Sequence, residues 1–413
     1  MMSDEKSLNS VLKTLQDPRT IRKQAERMLS LAHQEQLEHF AVDNEQMSAT
    51  AAFVLDVIHD QYPTLEIPYH SRWRHFTTGG IDRVNALTAR LHGLSQEEQG
   101  KIFYELVIIS VFLDAGAGNY WRYLDSDTGH EYNRSEGLAI ASLALYLSGV
   151  FSNDPNQPWR VDYERLLTFA YSDLTKAFQL TNTNVLEGAE GRVALLNRLG
   201  MVISKQSHYF GKERRLGNFY SYISSLQVYQ TITASQIFQA VLTAFAEVWP
   251  ARLQVEGVPL GDVWYHPKLK TDVLGSELIP FHKLSQWLTY SLVEPLEWGG
   301  IKVTRLDDLT GLPEYRNGGL LIDMGLLRVK NKALFLKPHS PGAEAIVEWR
   351  ALTVALLDEL ATTIRQQLQM DAVALPLAKI LQGGTWEAGR RIAKLRRSEG
   401  NPPIQIISDG TVF

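Results

Sequence analysis

A few stretches of this chain concentrate the residue types that do chemistry. Val111–Gly137 (VFLDAGAGNYWRYLDSDTGHEYNRSEG) combines Asp114, Asp125, Arg134 and Glu136 with Trp121 and Tyr123. Carboxylates can activate water or stabilise a developing cation, and aromatic faces can stack on a ring. Trp121 and Tyr123, two residues apart, share a face if the chain there is extended; they serve equally well as core aromatics. Asp114 closes an apolar, helix-like run and meets Gly116 and Gly118. It either caps the following segment or is a partly buried carboxyl whose pKa is raised by apolar neighbours. The glycines permit close approach of a ligand to the backbone. They are not a dinucleotide fingerprint, because the third glycine and the preceding strand are missing.

Tyr69–Gly80 (YHSRWRHFTTGG) places Arg72 and Arg74 on one side of an extended segment, with His70 and His75 nearby. Such a pair of arginines suits a phosphate or carboxylate, or else pairs with acidic neighbours in a surface loop. His70 and His75 match no zinc-binding spacing and have no glutamate between them, so no metal is expected there. Pro280–Gly325 carries His282, Lys283, Gln286 and Ser291 on a helix and opens its next polar turn with Glu314, Tyr315 and Arg316. Asp323 stands alone among Leu320, Leu321, Ile322, Met324 and Leu326. Burying it unpaired would be costly, so it must face water, cap a helix or meet a cation such as Arg316 or Lys283. Gly383–Arg391 (GGTWEAGRR) adds Trp386 and Arg390. Its amides at a helix start could hold an anion, the plainer alternative being a cap at Thr385. Together these stretches read as one polar pocket for a phosphorylated sugar derivative.

The elements that position them are mostly helices. Apolar residues recur at helical spacing before residue 60, in Gln96–Leu113, in Ser135–Val150, through most of Asp162–Trp249, in Pro280–Leu296 and in Ala343–Leu368. Ser95 followed by Glu98 is a helix-entry signature. Ile301–Val303 and Leu320–Leu336 are the best strand candidates, with a hairpin expected about Lys330-Asn331. Pro402–Phe413 reads as an extended tail. The expected fold class is mainly α: a compact helical protein with a few short strands, a helical segment over residues 1–68 and one main unit over 69–413.

Composition bounds the function. The chain has 413 residues, a net charge of −5 and no cysteine. There is no basic excess for nucleic acid, and no thiolate nucleophile, disulfide or cysteine zinc site. The start is polar rather than signal-like, and the apolar runs Leu106–Leu113 and Leu138–Leu147 are too short for a bilayer. A cytoplasmic protein acting on a small molecule, without membrane or cofactor, is the expectation.

Several phrases carry a resemblance: PYHSRWRHF, FLDAGAG followed by WRYLD and RSEGLAIAS, PFHKLSQWLTYSL, GLPEYRNGGLLID, VEWRALTVALLDEL and PPIQIISDGTVF. From about Tyr69 to Phe413 the chain resembles the uracil catabolism protein 4 family of fungi and bacteria. That resemblance implies a pathway in which uracil is joined to ribose and its ring opened, leaving a ribosylurea or its 5-phosphate. It places the protein downstream without fixing the step. The wealth of carboxylates, aromatics and basic residues favours hydrolysis of the N-glycosidic bond, which needs a carboxylate near the anomeric carbon and a donor for the leaving group. A fainter likeness links PFHKLSQ and PEYR to the queuosine-salvage N-glycosidases and implies a DNA-glycosylase-like helical core. Glu314 then stands in place of that family's catalytic aspartate, and Ser291 in place of a further acid. On this reading Glu314 or Asp323 activates water, with Asp114 and Asp125 in reserve. His70, Arg72, Arg74, His75, Trp121, Tyr123, Arg134, Glu136, His282, Lys283, Gln286, Tyr315, Arg316, Trp386 and Arg390 line the substrate. The alternatives are a non-catalytic ligand-binding or scaffold partner of the same pathway, and an amidohydrolase acting on the ureido group.

Overall fold

Where apolar spacing and capping residues agree, helices form, and the computed structural model of the chain is dominated by them. It describes residues 10–118, 120–250, 252–255 and 257–407. Among these are 17 α-helices, and each sheet has only two strands. The protein is mainly α, as the sequence implies. The last residues of the expected C-terminal tail, 408–413, lie outside the described residues. No helix among the described residues is long and apolar enough to cross a membrane.

By internal contacts the chain divides into two interleaved units. The first comprises residues up to His70, Ala251–Gln286 and Arg305–Ile407; the second comprises Ser71–Pro250 and Trp287–Thr304. The helix Lys283–Trp298 therefore contributes its first turn to one unit and the remainder to the other.

The first unit is built on Glu344–Leu368, a 25-residue helix that buries Ile346, Val347, Trp349, Leu352 and Leu356. Pro18–His33 packs along it. Asp17 caps that second helix through the Arg19 amide, and Pro18 occupies the first turn, where its missing N–H costs nothing. Arg350, buried on the long helix, donates from both terminal nitrogens to Asp262 at 2.8 Å and lies 4.1 Å above the Phe281 ring. Tyr315–Asp323 packs closely on Trp386–Arg396. A Cβ at Gly389 would come 2.3 Å from the Arg316 carbonyl oxygen, so this contact requires glycine.

Two local expectations change here. Leu326–Leu336 is not a hairpin. Leu327–Val329 pairs antiparallel with Phe40–Val42, and Asn331 then caps a short 3-10 turn, Lys332–Phe335. A distant strand satisfies the backbone, so the local alternation misleads. Nor does Gly383–Arg391 start a helix. Leu377–Ile380 runs through a π-helical turn, Leu381–Thr385, directly into Trp386–Arg396, and Thr385 has helical φ −63° and ψ −38°. Its side chain makes no cap, and the amides needed for an anion site lie inside the helix.

The second unit centres on Gln96–Phe112, whose apolar residues Phe103, Leu106, Val107, Ile108, Ile109 and Val111 are all buried. Ser95 caps it by accepting from the Glu98 amide. Glu105, fully buried, binds Arg215 through two bonds of 2.9 Å and also accepts from the Val161 and Gly217 amides. Thr231–Thr233 pairs in parallel with Lys302–Thr304. Within Lys283–Trp298, Pro295 cannot donate to the Ser291 carbonyl one turn earlier. The buried Trp73 indole supplies that bond instead, at 2.8 Å. Tyr69–Gly80 is not extended: it turns into a short helix, Trp73–Phe76, which buries Trp73 and Phe76.

Candidate active site

In the second unit, Leu113 ends the long central helix and the chain turns at Asp114. Arg192 from the helix Ala189–Lys205 holds this turn. Its guanidinium donates to the carbonyls of Leu113 (3.0 Å), Ala115 (2.8 Å) and Gly116 (3.0 Å), and also to that of Glu187. Gly118, at φ +76°, meets Glu187, which a Cβ there would approach to 2.6 Å. These glycines and Arg192 thus shape the loop that presents Asp114. Burial draws the Arg192 guanidinium down to about 10, with Asp114 and Glu187 opposing the shift.

Asp114 Oδ2 receives Arg72 Nη1 at 2.9 Å and the Trp287 indole N–H at 3.1 Å. Arg72 is fully buried. Its Nε donates to Ser110 Oγ (2.7 Å), Nη1 also to the Ser135 carbonyl (3.1 Å), and its amide to Ser291 Oγ (3.0 Å). Burial lowers its pKa, while the charges of Asp114 and Glu136 raise it; a guanidinium remains protonated regardless. Two polar atoms of the ion pair are left over. Asp114 Oδ1 and Arg72 Nη2 are buried and have no hydrogen-bond partner among the described residues. A buried polar atom without a partner is costly, and a ligand offering both a donor and an acceptor would relieve both. His75 approaches the Trp287 ring edge-on at 5.8 Å.

The remaining candidates of this unit have other occupations. Arg74 pairs with Glu294, whose carboxyl burial pushes up while Arg74 and Ser71 draw it down. Asp125 accepts from Arg83 Nη2 (2.6 Å), Thr128 Oγ1 (3.0 Å) and the Asp127 amide (3.3 Å). Burial would raise its pKa, but these donors hold it below the usual value. Trp121 is a core residue rather than a stacking platform: fully buried, it donates to the Phe178 carbonyl at 2.9 Å and stacks on the Phe178 ring. Tyr123 is also buried, in a two-residue strand paired with Glu131–Tyr132, and burial raises its hydroxyl pKa. Arg134 opens the helix Arg134–Leu147 at φ +51°, and Glu136 is buried in its first turn.

The first unit holds a second polar cluster. Glu314 caps Tyr315–Asp323, its two carboxylate oxygens accepting from the Arg316 and Asn317 amides at 2.7 Å each. Burial raises its pKa; those two amides and the charges of Arg316 and Lys283 pull the other way. The Arg316 guanidinium lies 4.0 Å from the Trp386 ring centre, with Arg390 at 5.9 Å. The Tyr315 hydroxyl accepts from Arg316 Nε at 3.3 Å. His70 bonds Gln382 at 3.0 Å, its ring 6.0 Å from Trp386. His282, at φ +47°, reaches the Leu15 carbonyl at 2.9 Å, and burial lowers its pKa. Lys283 donates its amide to Asp262 Oδ2 at 2.9 Å. Gln286 exchanges bonds with Thr310, accepting from its amide at 2.8 Å and donating to its hydroxyl at 2.9 Å. Asp323 is paired with Arg397 through both carboxylate oxygens, not with Arg316 or Lys283.

Comparison with known proteins agrees with the motifs. Residues 14–413 match a family described as "Protein of unknown function (DUF1688)". The chain is 37% identical over 407 residues to "Uracil catabolism protein 4" of Lachancea kluyveri, covering 91% of this chain and 92% of that one. It is 38% identical over 414 residues to "Protein urg3" of Schizosaccharomyces pombe, covering 97% and 98% respectively. The chain belongs to the uracil catabolism protein 4 family. In this family member, sequence reasoning missed Trp287, Ser110 and Arg192 around Asp114. Trp287 lies in the quoted PFHKLSQWLTYSL and was within reach. Ser110 and Arg192 carry no local signal, because their roles exist only once distant helices pack.

Proposed function

We propose that this protein takes part in uracil degradation and hydrolyses the N-glycosidic bond of ribosylurea or its 5-phosphate, giving urea and ribose or ribose 5-phosphate. The observation that carries the reading is the incompletely satisfied ion pair of Asp114 and Arg72. In this reaction the anomeric C–N bond breaks, the departing urea nitrogen keeps the electron pair, and it becomes urea by taking up the proton that the attacking water gives up. Water adds to the oxocarbenium-like carbon and loses a proton. Asp114 Oδ1 is the acceptor for that proton and passes it to the departing nitrogen, while Arg72 and Trp287 donate to its other oxygen. Arg72 Nη2 donates to the ureido oxygen, where negative charge grows as the bond breaks. The Trp287 indole fixes the carboxylate plane. The name of the Lachancea relative supports the pathway; the charge and donor pattern supports the reaction.

The test is incubation of the purified full chain, with and without a chelator, with ribosylurea and with its 5-phosphate, following urea, ammonia and free sugar. Urea and sugar released in equal amounts are expected. Ammonia without sugar would instead indicate an amidohydrolase, and tight binding without product a ligand-binding partner of the pathway.

A further inference from the structure

A group of side chains in the first unit, separate from both clusters above, has the composition of a metal site. Glu344 and Glu348 are four residues apart in the helix Glu344–Leu368 and so project from one face. One ligand atom each from His39, Glu344 and Glu348 lie within 4.8 Å of one another. His266, which follows the strand Val263–Tyr265, lies beside the two carboxylates. Its Nε2 is 3.8 Å from Glu348 Oε2 and 3.9 Å from Glu344 Oε1.

Acidic groups cluster for many reasons, and two further facts distinguish this set. His266 and Glu348 are fully buried. Neither ring nitrogen of His266, nor Glu348 Oε2, has a hydrogen-bond partner among the described residues. The separations of 3.8 and 3.9 Å are too long for a hydrogen bond. They are close to what a shared ion needs: with bonds of about 2.0–2.1 Å, tetrahedral ligand atoms sit about 3.3–3.4 Å apart. The other oxygen of Glu348 is already committed. Oε1 accepts the Phe40 amide at 2.9 Å and the His39 amide at 3.2 Å, which orients Oε2 and ties the carboxylate to the strand Phe40–Val42. Backbone bonds to a ligating carboxylate are the usual outer support of a metal site.

We infer that His39, Glu344 and Glu348, with His266 beside the two carboxylates, bind a first-row divalent transition ion such as Zn²⁺ or Mn²⁺. Imidazole and carboxylate donors without thiolate suit these ions, and two carboxylates neutralise the dication. Such an ion would fasten the segment bearing His39 to the long helix.

The test uses the full chain stripped with chelator and titrated with Zn²⁺, Mn²⁺ and, for its visible bands, Co²⁺. One equivalent should bind and raise the thermal midpoint. Glu344→Gln and His39→Gln change partly exposed side chains, so both variants should fold and melt like wild type without metal. Both should weaken binding by at least about tenfold and reduce the metal-dependent rise in melting temperature. Binding unchanged in both variants would place the ion elsewhere. No saturable binding by wild type, or a crystal structure with only water among these four side chains, would overturn the inference.

Discussion

Asp114 and Glu314 are both buried carboxylates at the end of a helix, and their surroundings differ in one respect. Glu314, at the entry to Tyr315–Asp323, accepts a backbone amide with each of its oxygens. Asp114, just beyond the exit of Gln96–Phe112, receives Arg72 and Trp287 on Oδ2, and among the described residues none donates to Oδ1. The first carboxylate completes a helix; the second keeps one buried oxygen without a donor among the described residues. A motif can therefore match a catalytic turn in spelling while its acid is employed as a cap.

The strongest way to break this comparison is to neutralise Asp114. Asp114→Asn keeps an oxygen to receive Arg72 and Trp287 but removes the base. We expect kcat/KM for the preferred ribosylurea substrate to fall by about 10²–10⁴-fold, with a circular dichroism spectrum like wild type. Retained turnover in folded Asp114→Asn protein would remove Asp114 from the reaction.

A buried pair with every oxygen satisfied should instead report on stability. Burial alone would raise the Asp262 pKa, but Arg350, the Lys283 amide and the Trp264 indole together hold it well below the usual carboxylate range. Its native pKa thus lies below its unfolded one. The stabilisation is present above the ordinary Asp value of 3.8 and is lost as pH falls below it. Asp262→Asn leaves Arg350 buried without its counter-charge and should cost about 3–5 kcal/mol. Urea unfolding between pH 3 and 6 checks both parts: the variant should be weaker at pH 6 and flatter toward pH 3. A parallel slope in both proteins would show that Asp262 is not the titrating group.

How much of this could be read in advance depended on whether the decisive partner was local. Gln96–Phe112 was legible because its periodicity and its Ser95 cap lie within one turn of each other, and Glu344–Leu368 because its periodicity is long. The Arg72–Asp114 pair was not, although both residues stood out, because 42 positions separate them and only packing joins them. Trp121 looked like a platform because its spacing from Tyr123 is correct for one; the fold spends that face on Phe178. His39 and His266 made no pattern at all, since metal-ligand spacing is informative only when the ligands share an element.

Trp73 tests a satisfied group of the second unit. Its indole N–H occupies the Ser291 carbonyl that Pro295 cannot serve. Trp73→Phe keeps most of the ring volume and leaves that carbonyl unpaired, which should cost about 1–3 kcal/mol. Pairing it with Pro295→Ala, which restores an in-helix donor, should recover part of the loss in a double-mutant cycle. Purely additive costs would mean that the indole bond and the proline are unconnected.

The smallest expected effect is at Glu314, and it bears most directly on the comparison. Glu314→Gln keeps one strong acceptor for the two amides, so it should cost about 0.5–2 kcal/mol, as loss of a cap does, and leave kcat/KM within about threefold. The pH dependence separates this role from a catalytic one. Burial raises the native pKa above the ordinary value of 4.5 despite the amides and the nearby cations. Between 4.5 and the native pKa the folded state then holds the proton that the unfolded state has released, so this group's contribution to stability falls as pH rises through that window. The advantage of wild type over Glu314→Gln should be fully present below pH 4.5 and should shrink above it. Denaturant midpoints of both proteins at pH 4 and pH 7 measure the difference, with every other titrating group common to both. A large loss of turnover in Glu314→Gln at unchanged stability would reverse the assignment and make Glu314, not Asp114, the reacting carboxylate.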